Sequence, residues 1–237
     1  MRLTILLDFD GTAYRGDLAV QAYARRVAER LDPAAGLIVI GGMRAFLEGK
    51  PKPPGMPPEF DTAEDGYEVV QALSDAAGLP TTERAQAYLE SRDDLARSAF
   101  VLDPEPGLAG WLLEIKSGSA VWLVTNAPPA GIREVLDTVE LTGLVDEIIP
   151  AAGKPPGMTA IAERAVAASG RAGGVLAIGD RWAADLAATH HLGGRTAHID
   201  RFGRGLGTPT WRDTEFSPLL PALRRWAADP EGPIDAH

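Results

Sequence analysis

The sequence predicts an α/β fold, a doubly wound parallel sheet interrupted by one inserted helical subdomain. Three observations predict it. Short, continuous apolar runs end in polar residues, as central parallel strands do. Amphipathic helical patterns alternate with those runs. The gap between the first and second runs exceeds 110 residues, whereas a strand–helix–strand unit needs about 30.

The strand-like runs are residues 3–7, 120–124, 147–149, 175–178 and 195–199. Leu108, Leu112 and Ile115 share a helical face before the second run, and Ile132, Val135 and Leu136 share one after it. Met158, Ile161, Ala165 and Ala168 precede the fourth run. Ser217 is placed to cap a last helix, with Pro218 at its first position, reaching about residue 228. The tail beyond Asp229 is polar and expected to be loose.

The excess chain, residues 14–99, reads as four helices. Asp17 is expected to cap the first, whose apolar face holds Val20, Tyr23, Val27 and Leu31. The second covers 37–47, and its Gly41–Gly42 pair suits either a bend or a close approach. Prolines 51, 53, 54, 57 and 58 then mark a loop. Thr62 opens a third helix that ends at Gly78, and Thr81 or Thr82 opens a fourth through Leu95. Only 27 residues separate Asn126 from Lys154, too few for a second insert. The organisation is therefore 1–13 and 100–237 as core and 14–99 as insert.

Composition narrows the function. Thirty-three acidic against 23 basic residues leave a formal charge of −10, which disfavours nucleic acid and anionic membrane. With no cysteine, disulfides, thiolate catalysis and zinc–thiolate sites are excluded. The apolar start is cut short by Asp8 and Asp10, too early for a signal peptide, and no apolar stretch is long enough to span a bilayer. A cytoplasmic protein is expected.

In doubly wound sheets ligands bind beyond the carboxyl ends of the strands, and the chemistry-bearing residues stand there. Asp8, Phe9, Asp10, Gly11 and Thr12 follow the first run. Asp8 suits nucleophilic attack on phosphorus. Asp10 suits protonation of the leaving oxygen, then deprotonation of water. Gly11 permits a tight turn; Asp-Gly is also an ordinary turn pair. Thr125 and Asn126 end the second run, where a hydroxyl and backbone N–H groups could hold phosphate oxygens or simply make a turn. Lys154, in Gly-Lys-Pro-Pro-Gly, could neutralise phosphate and nucleophile or be a surface charge. Asp180, after the fourth run, could bind a hard cation or cap a helix. Asp185 could orient a metal shell or Lys154.

Together these four anchors resemble the motifs of the haloacid dehalogenase (HAD) superfamily. Its D-x-D-G-T motif is matched by Asp8, Asp10, Gly11 and Thr12, its strand-end Thr or Ser by Thr125, its lysine by Lys154, and its GDxxxxD form by Gly179, Asp180 and Asp185. The resemblance spans about residues 1–13 and 100–200. It implies a Rossmann-like core, a helical cap at the position of the insert, and Mg²⁺ on Asp8, on the Asp10 backbone carbonyl and on Asp180. Asp8, Asp10 and Lys154 would be catalytic. Gly11, Thr12, Thr125, Asn126 and Lys154 would contact substrate, supported by Asp185. The implied activity is hydrolysis of a small phosphomonoester through an aspartyl-phosphate, with cap closure excluding water. The alternatives are a mutase of the β-phosphoglucomutase kind and a non-catalytic phosphate-binding protein. Superfamily dehalogenases lack the second acid, because halide leaves without a proton, so Asp10 argues against dehalogenation. The P-type ATPase pattern has lysine where Phe9 stands. Phosphonate hydrolysis needs a cap lysine, and the insert offers only Lys50 and Lys52, in the proline loop. Ala13, Tyr14 and Arg15 depart from the leucine common after the motif, which bears on the substrate.

Other residues carry weaker signals. Tyr14, Arg15 and Asp17 open the insert, and Arg15 is either a surface charge or a contact for a substrate anion. Trp182 is a pocket wall or loop packing. His190 and His191 lack metal-ligand spacing and read as structural. Arg201, Arg204, Arg212 and Asp213 follow the last predicted strand and read as remote from substrate.

Overall fold

The computed structural model describes residues 2–97 and 102–233. In chain order the elements begin with β1 (Leu3–Leu7), β2 (Tyr14–Arg15), α1 (Leu18–Ala28), α2 (Pro33–Leu47), α3 (Glu59–Thr62), α4 (Gly66–Ala76) and α5 (Thr81–Arg97). They continue with β3 (Asp103–Pro104), α6 (Leu108–Ile115), β4 (Ser119–Val124), α7 (Ile132–Thr138), β5 (Glu147–Ile149) and α8 (Met158–Ser169). Last come β6 (Val175–Gly179), a π-helical turn (Trp182–Leu186), α9 (Ala187–His191), β7 (Arg195–Ile199), β8 (Trp211–Asp213) and α10 (Leu220–Ala228).

The chain divides into two compact units. One comprises Met1–Arg15, Leu102–Pro129 and Val135–His237; the other comprises Gly16–Val101 and Ala130–Glu134. The expected upper edge of the insert, at 99/100, lies outside the described residues.

The first unit is built on a parallel six-stranded sheet of order β5-β4-β1-β6-β7-β8, a Rossmann-like α/β arrangement. β1 is central, aligning Leu7 with Leu123 on one side and Ile178 on the other. β1 and β6 are buried along their whole length, as expected of strands covered on both faces. On one face Leu6, Trp122, Val124, Val175 and Ala177 pack against Met158, Ala162 and Ala165 of α8. Trp111 of α6 and Phe216, both fully buried, stand 6.0 Å apart between ring centres.

Sequence patterning missed β8, which places Arg212 and Asp213 inside the sheet rather than after its last strand. With one buried apolar residue, Trp211, β8 presents no apolar run. Also unforeseen was the antiparallel pair β2–β3, which aligns Tyr14 with Pro104 and Arg15 with Asp103. Arg15 is paired rather than a free surface charge. It forms a two-bond ion pair with buried Glu105, at 2.8 and 2.9 Å, and a second with Glu215 at 3.5 Å. Ser217 does not cap α10. It opens a 3₁₀ turn and donates its hydroxyl to Pro106 O at 2.9 Å. At the start of the tail Glu231 lies 3.1 Å from Arg171.

The second unit is helical. Tyr23, Tyr67 and Tyr88 bring rings from α1, α4 and α5 together at 5.7–6.2 Å. Arg26 grips Asp94 at 2.7 and 2.8 Å, and Arg30 meets Glu90 at 2.7 Å. α2 begins four residues before the expected Leu37, because Asp32 accepts from Ala34 N and Ala35 N and Pro33 follows it. Gly42 of α2 faces Leu73 of α4 so closely that a Cβ would lie 2.6 Å from Leu73 Cδ1, which makes it a packing residue. The expected helix from Thr62 is two pieces. Thr62 ends α3, and Asp65 caps α4 by accepting from Glu68 N at 2.7 Å while Glu68 accepts from Glu64 N at 2.8 Å. Asp17 stands at the start of α1 without a side-chain cap bond, since its backbone (φ −111°, ψ 7°) is outside the extended region that aims such a side chain. No helix among the described residues is long and apolar enough to cross a membrane.

Candidate active site

The carboxyl ends of three adjacent strands, β4, β1 and β6, and the segment between β5 and α8 that carries Lys154 bring the predicted residues together. Asp8 extends β1 by one step, its N–H donating to Ile178 O at 2.9 Å. Its carboxylate is almost wholly buried. Oδ2 accepts from Thr12 Oγ1 at 2.8 Å and Oδ1 accepts from Lys154 Nζ at 2.6 Å. Thr12, fully buried, is thus spent on Asp8.

Lys154 is the hub. Nζ donates to Asp8 Oδ1 at 2.6 Å, Asp185 Oδ1 at 2.6 Å and Val124 O at 2.9 Å. Those three bonds account for the three ammonium donors. Burial alone pulls the ammonium down, but Asp185 and Asp8 outweigh it and hold the group above its ordinary pKa. Burial, then the neighbouring Asp185 charge, push the Asp8 carboxyl up to about 6, against the pull of Lys154 and Thr12.

Asn126 does something the sequence did not indicate. Its Nδ2 donates to Lys154 O at 3.0 Å and its Oδ1 accepts from Lys154 N at 2.7 Å. The side chain clamps the lysine's own peptide groups. Thr125 is buried, and its Oγ1 accepts from Ala127 N at 3.0 Å, closing the turn after β4.

Asp180 and Asp185 follow β6. Asp185 is buried, orients Lys154 through Oδ1 and accepts from Arg181 N through Oδ2 at 3.0 Å. A Cβ on Gly179 would lie 2.4 Å from Asp185 Cβ, so a glycine is required for this approach. Asp180 is not a helix cap; the π-helical turn starts after Arg181. Asp8, Asp180 and Asp185 each offer an oxygen, all within 4.8 Å of one another. Gly11, at φ +84°, leaves the space Asp180 uses: a Cβ there would lie 2.3 Å from Asp180 Oδ2.

Asp10 stands apart from this carboxylate cluster. Its Oδ1 accepts a hydrogen bond from Tyr14 Oη. Sequence reasoning missed this, as it missed His198, whose Nε2 lies 3.1 Å from Asp180 O. That acceptor fixes the proton on Nε2, and burial holds the imidazole below its ordinary pKa, so it braces the Asp180 peptide as a neutral ring. Neither Tyr14 nor His198 carries a motif signal, because each acts on a partner that the fold brings within reach. Trp182 packs over Gly207, where a Cβ would lie 1.9 Å from its ring, and its ring centre is 5.3 Å from that of His190.

No protein-family model matches the chain, and no match among curated proteins reaches significance. Solved structures do match. YfnB of Bacillus subtilis, named as a HAD-hydrolase and bound to magnesium, is 20% identical with a TM-score of 0.59, over 94% of this chain and 98% of that one. A predicted phosphoglycolate phosphatase from Haemophilus somnus is 16% identical with a TM-score of 0.60, over 94% and 98%. A 2-haloacid dehalogenase from Pseudomonas syringae is 16% identical with a TM-score of 0.51, over 95% and 100%. The chain has the fold of the HAD-superfamily hydrolases.

Proposed function

We propose that the protein is a Mg²⁺-dependent phosphomonoester hydrolase acting on a small phosphorylated metabolite through an aspartyl-phosphate on Asp8. The observation that carries this reading is the Lys154 bridge between Asp8 and Asp185, within a cluster of three carboxylates that Asp180 completes. The neighbours in fold include both phosphatases and dehalogenases. Asp10 supports the phosphatase reading on chemical grounds, because an alkoxide leaving group needs a proton and a halide does not.

The donor set fits a hard divalent cation, being all oxygen and carrying more negative charge than Lys154 alone balances. Asp8, Asp180 and the Asp10 backbone carbonyl would hold it, and when bound it would offset the charge of a phosphate dianion. In the first step an Asp8 oxygen attacks phosphorus, the bond from phosphorus to the substrate oxygen breaks, and Asp10 gives its proton to that oxygen. In the second, Asp10 takes a proton from water, the water oxygen attacks phosphorus, and the bond to Asp8 breaks to release phosphate. Lys154 keeps its charge throughout and holds Asp8 in line. Catalysis is then mainly positioning and electrostatics.

The direct test is phosphate release from an aryl phosphate and a panel of metabolite phosphates, with halide release from a 2-haloacid run alongside. Phosphate release that stops on chelation supports the reading. Halide release without phosphate release, or silence on every phosphate, would overturn it.

Gly11→Ala tests the metal site. The added methyl displaces the Asp180 carboxylate, so Mg²⁺ binding should weaken about tenfold or more. The left-handed backbone adds a stability cost of about 1–2 kcal/mol. Thermal unfolding across a Mg²⁺ titration reads both: a lower starting Tm, and a Mg²⁺-induced rise needing higher concentration. Unchanged Mg²⁺ dependence would remove Asp180 from the metal site.

A further inference from the structure

The geometry points to Tyr14 as the positioning residue for Asp10, holding the acid/base carboxyl in its working orientation. This rests on the phosphomonoesterase reading above. A general acid must keep its proton within hydrogen-bond reach of the leaving oxygen, and errors of about 0.5 Å matter. A carboxyl on a strand-end loop turns about two bonds. The Tyr14 hydroxyl removes that freedom by donating to Asp10 Oδ1.

Tyr14 is itself held on every side. The residue is 1% exposed, and its ring meets the buried Phe9 edge-on, at 5.5 Å and 85°. Its backbone pairs with Pro104 and bridges to Asp10. The next residue, Arg15, is locked to buried Glu105 by two hydrogen bonds, and Glu105 N donates to Ala13 O at 3.3 Å. The turn between the two partners is closed by Ala13 N donating to Phe9 O at 2.9 Å. The phenol therefore cannot follow a wandering carboxyl; the carboxyl conforms to the phenol. Donation to Oδ1 serves both states of Asp10. It meets the carbonyl-type oxygen of the neutral acid and one oxygen of the carboxylate.

Tyr14→Phe keeps the ring on Phe9 and removes only the hydroxyl. The readout is kcat/KM for two esters, since this parameter reports the steps through loss of the leaving group. An alkyl phosphate needs the proton from Asp10; p-nitrophenyl phosphate expels a stable phenolate and needs it little. With general acids contributing about 10²–10⁴-fold, Tyr14→Phe should lose about 10–100-fold on the alkyl ester and less than about threefold on the aryl ester. The ratio is taken within one preparation, so partial unfolding cannot mimic it. In an Asp10→Asn background the tyrosine substitution should leave that ratio unchanged. Equal losses on both esters, no loss on either, or a further change of the ratio without Asp10 would each overturn the positioning role. Failure of the parent reading looks different: wild type would then release no phosphate from either ester.

Discussion

Asp8→Asn should abolish phosphate release, by on the order of 10⁴-fold or more, in a protein that remains folded. The chemistry is lost because an amide cannot supply the carboxylate oxygen that attacks phosphorus. The fold survives because the amide suits both partners of Asp8. Its oxygen can accept from Lys154 Nζ where Oδ1 does now, and its NH₂ can face Thr12 Oγ1, a hydroxyl able to turn from donor to acceptor. The substitution also removes one charge from a crowded, buried group; burial and Asp185 already push Asp8 up to about 6. Stability should therefore change by no more than about 1 kcal/mol. Phosphate release and thermal unfolding, measured on the same sample, check both halves. Retained turnover would remove Asp8 as nucleophile. A collapsed Tm would mean that the Asp8 charge is itself needed to hold Lys154.

How far the sequence foretold this site depends on what each residue acts upon. Asp8, Thr125 and Asp180 end apolar runs, and the parallel sheet brings the ends of such runs together, so their convergence was legible from hydropathy alone. Lys154 and Asp185 were legible by spacing within the motif pattern. Asn126 was legible as a strand-end residue but not in its use, because its partner is the backbone of a residue 28 positions away. Tyr14 stood at the start of the insert and read as a linker, although its hydroxyl reaches back four residues to Asp10. In the fold, besides the missed strands, the errors at helix starts were of one kind. Asp32 capped a helix expected to start later and Asp65 one expected to start earlier, while Asp17 and Ser217 stood at helix starts without capping. Composition marks where a cap can be; the backbone angles of that residue decide whether its side chain reaches the N–H groups.

Lys154→Met should differ from Asp8→Asn in costing stability as well as turnover. Methionine matches the length of the side chain but leaves the Asp8 and Asp185 carboxylates facing each other with no charge between them, and Val124 O without its donor. All three groups lie where water has little access; the Lys154 side chain is 4% exposed and the two aspartates 9% and 3%. Removing one partner from a buried ion pair costs about 3–5 kcal/mol, and for a chain of this size that is a fall in Tm of about 10 °C. The cost comes from the stranded carboxylates rather than from the lost methylene packing, so it should be reversible at a second site. Asp185→Asn in the Lys154→Met background removes one stranded charge and should recover about half of the lost stability, with no return of activity, since the cation beside Asp8 is still missing. Arginine should not substitute, because a planar guanidinium cannot place three donors on the tripod that Asp8, Asp185 and Val124 O form around one nitrogen. Thermal unfolding of the single and double variants gives the coupling directly. If Lys154→Met were as stable as wild type, the three-bond bridge would not be holding these charges. If Asp185→Asn deepened the loss instead of relieving it, Asp185 would be anchoring the turn through Arg181 N more than it pairs with Lys154.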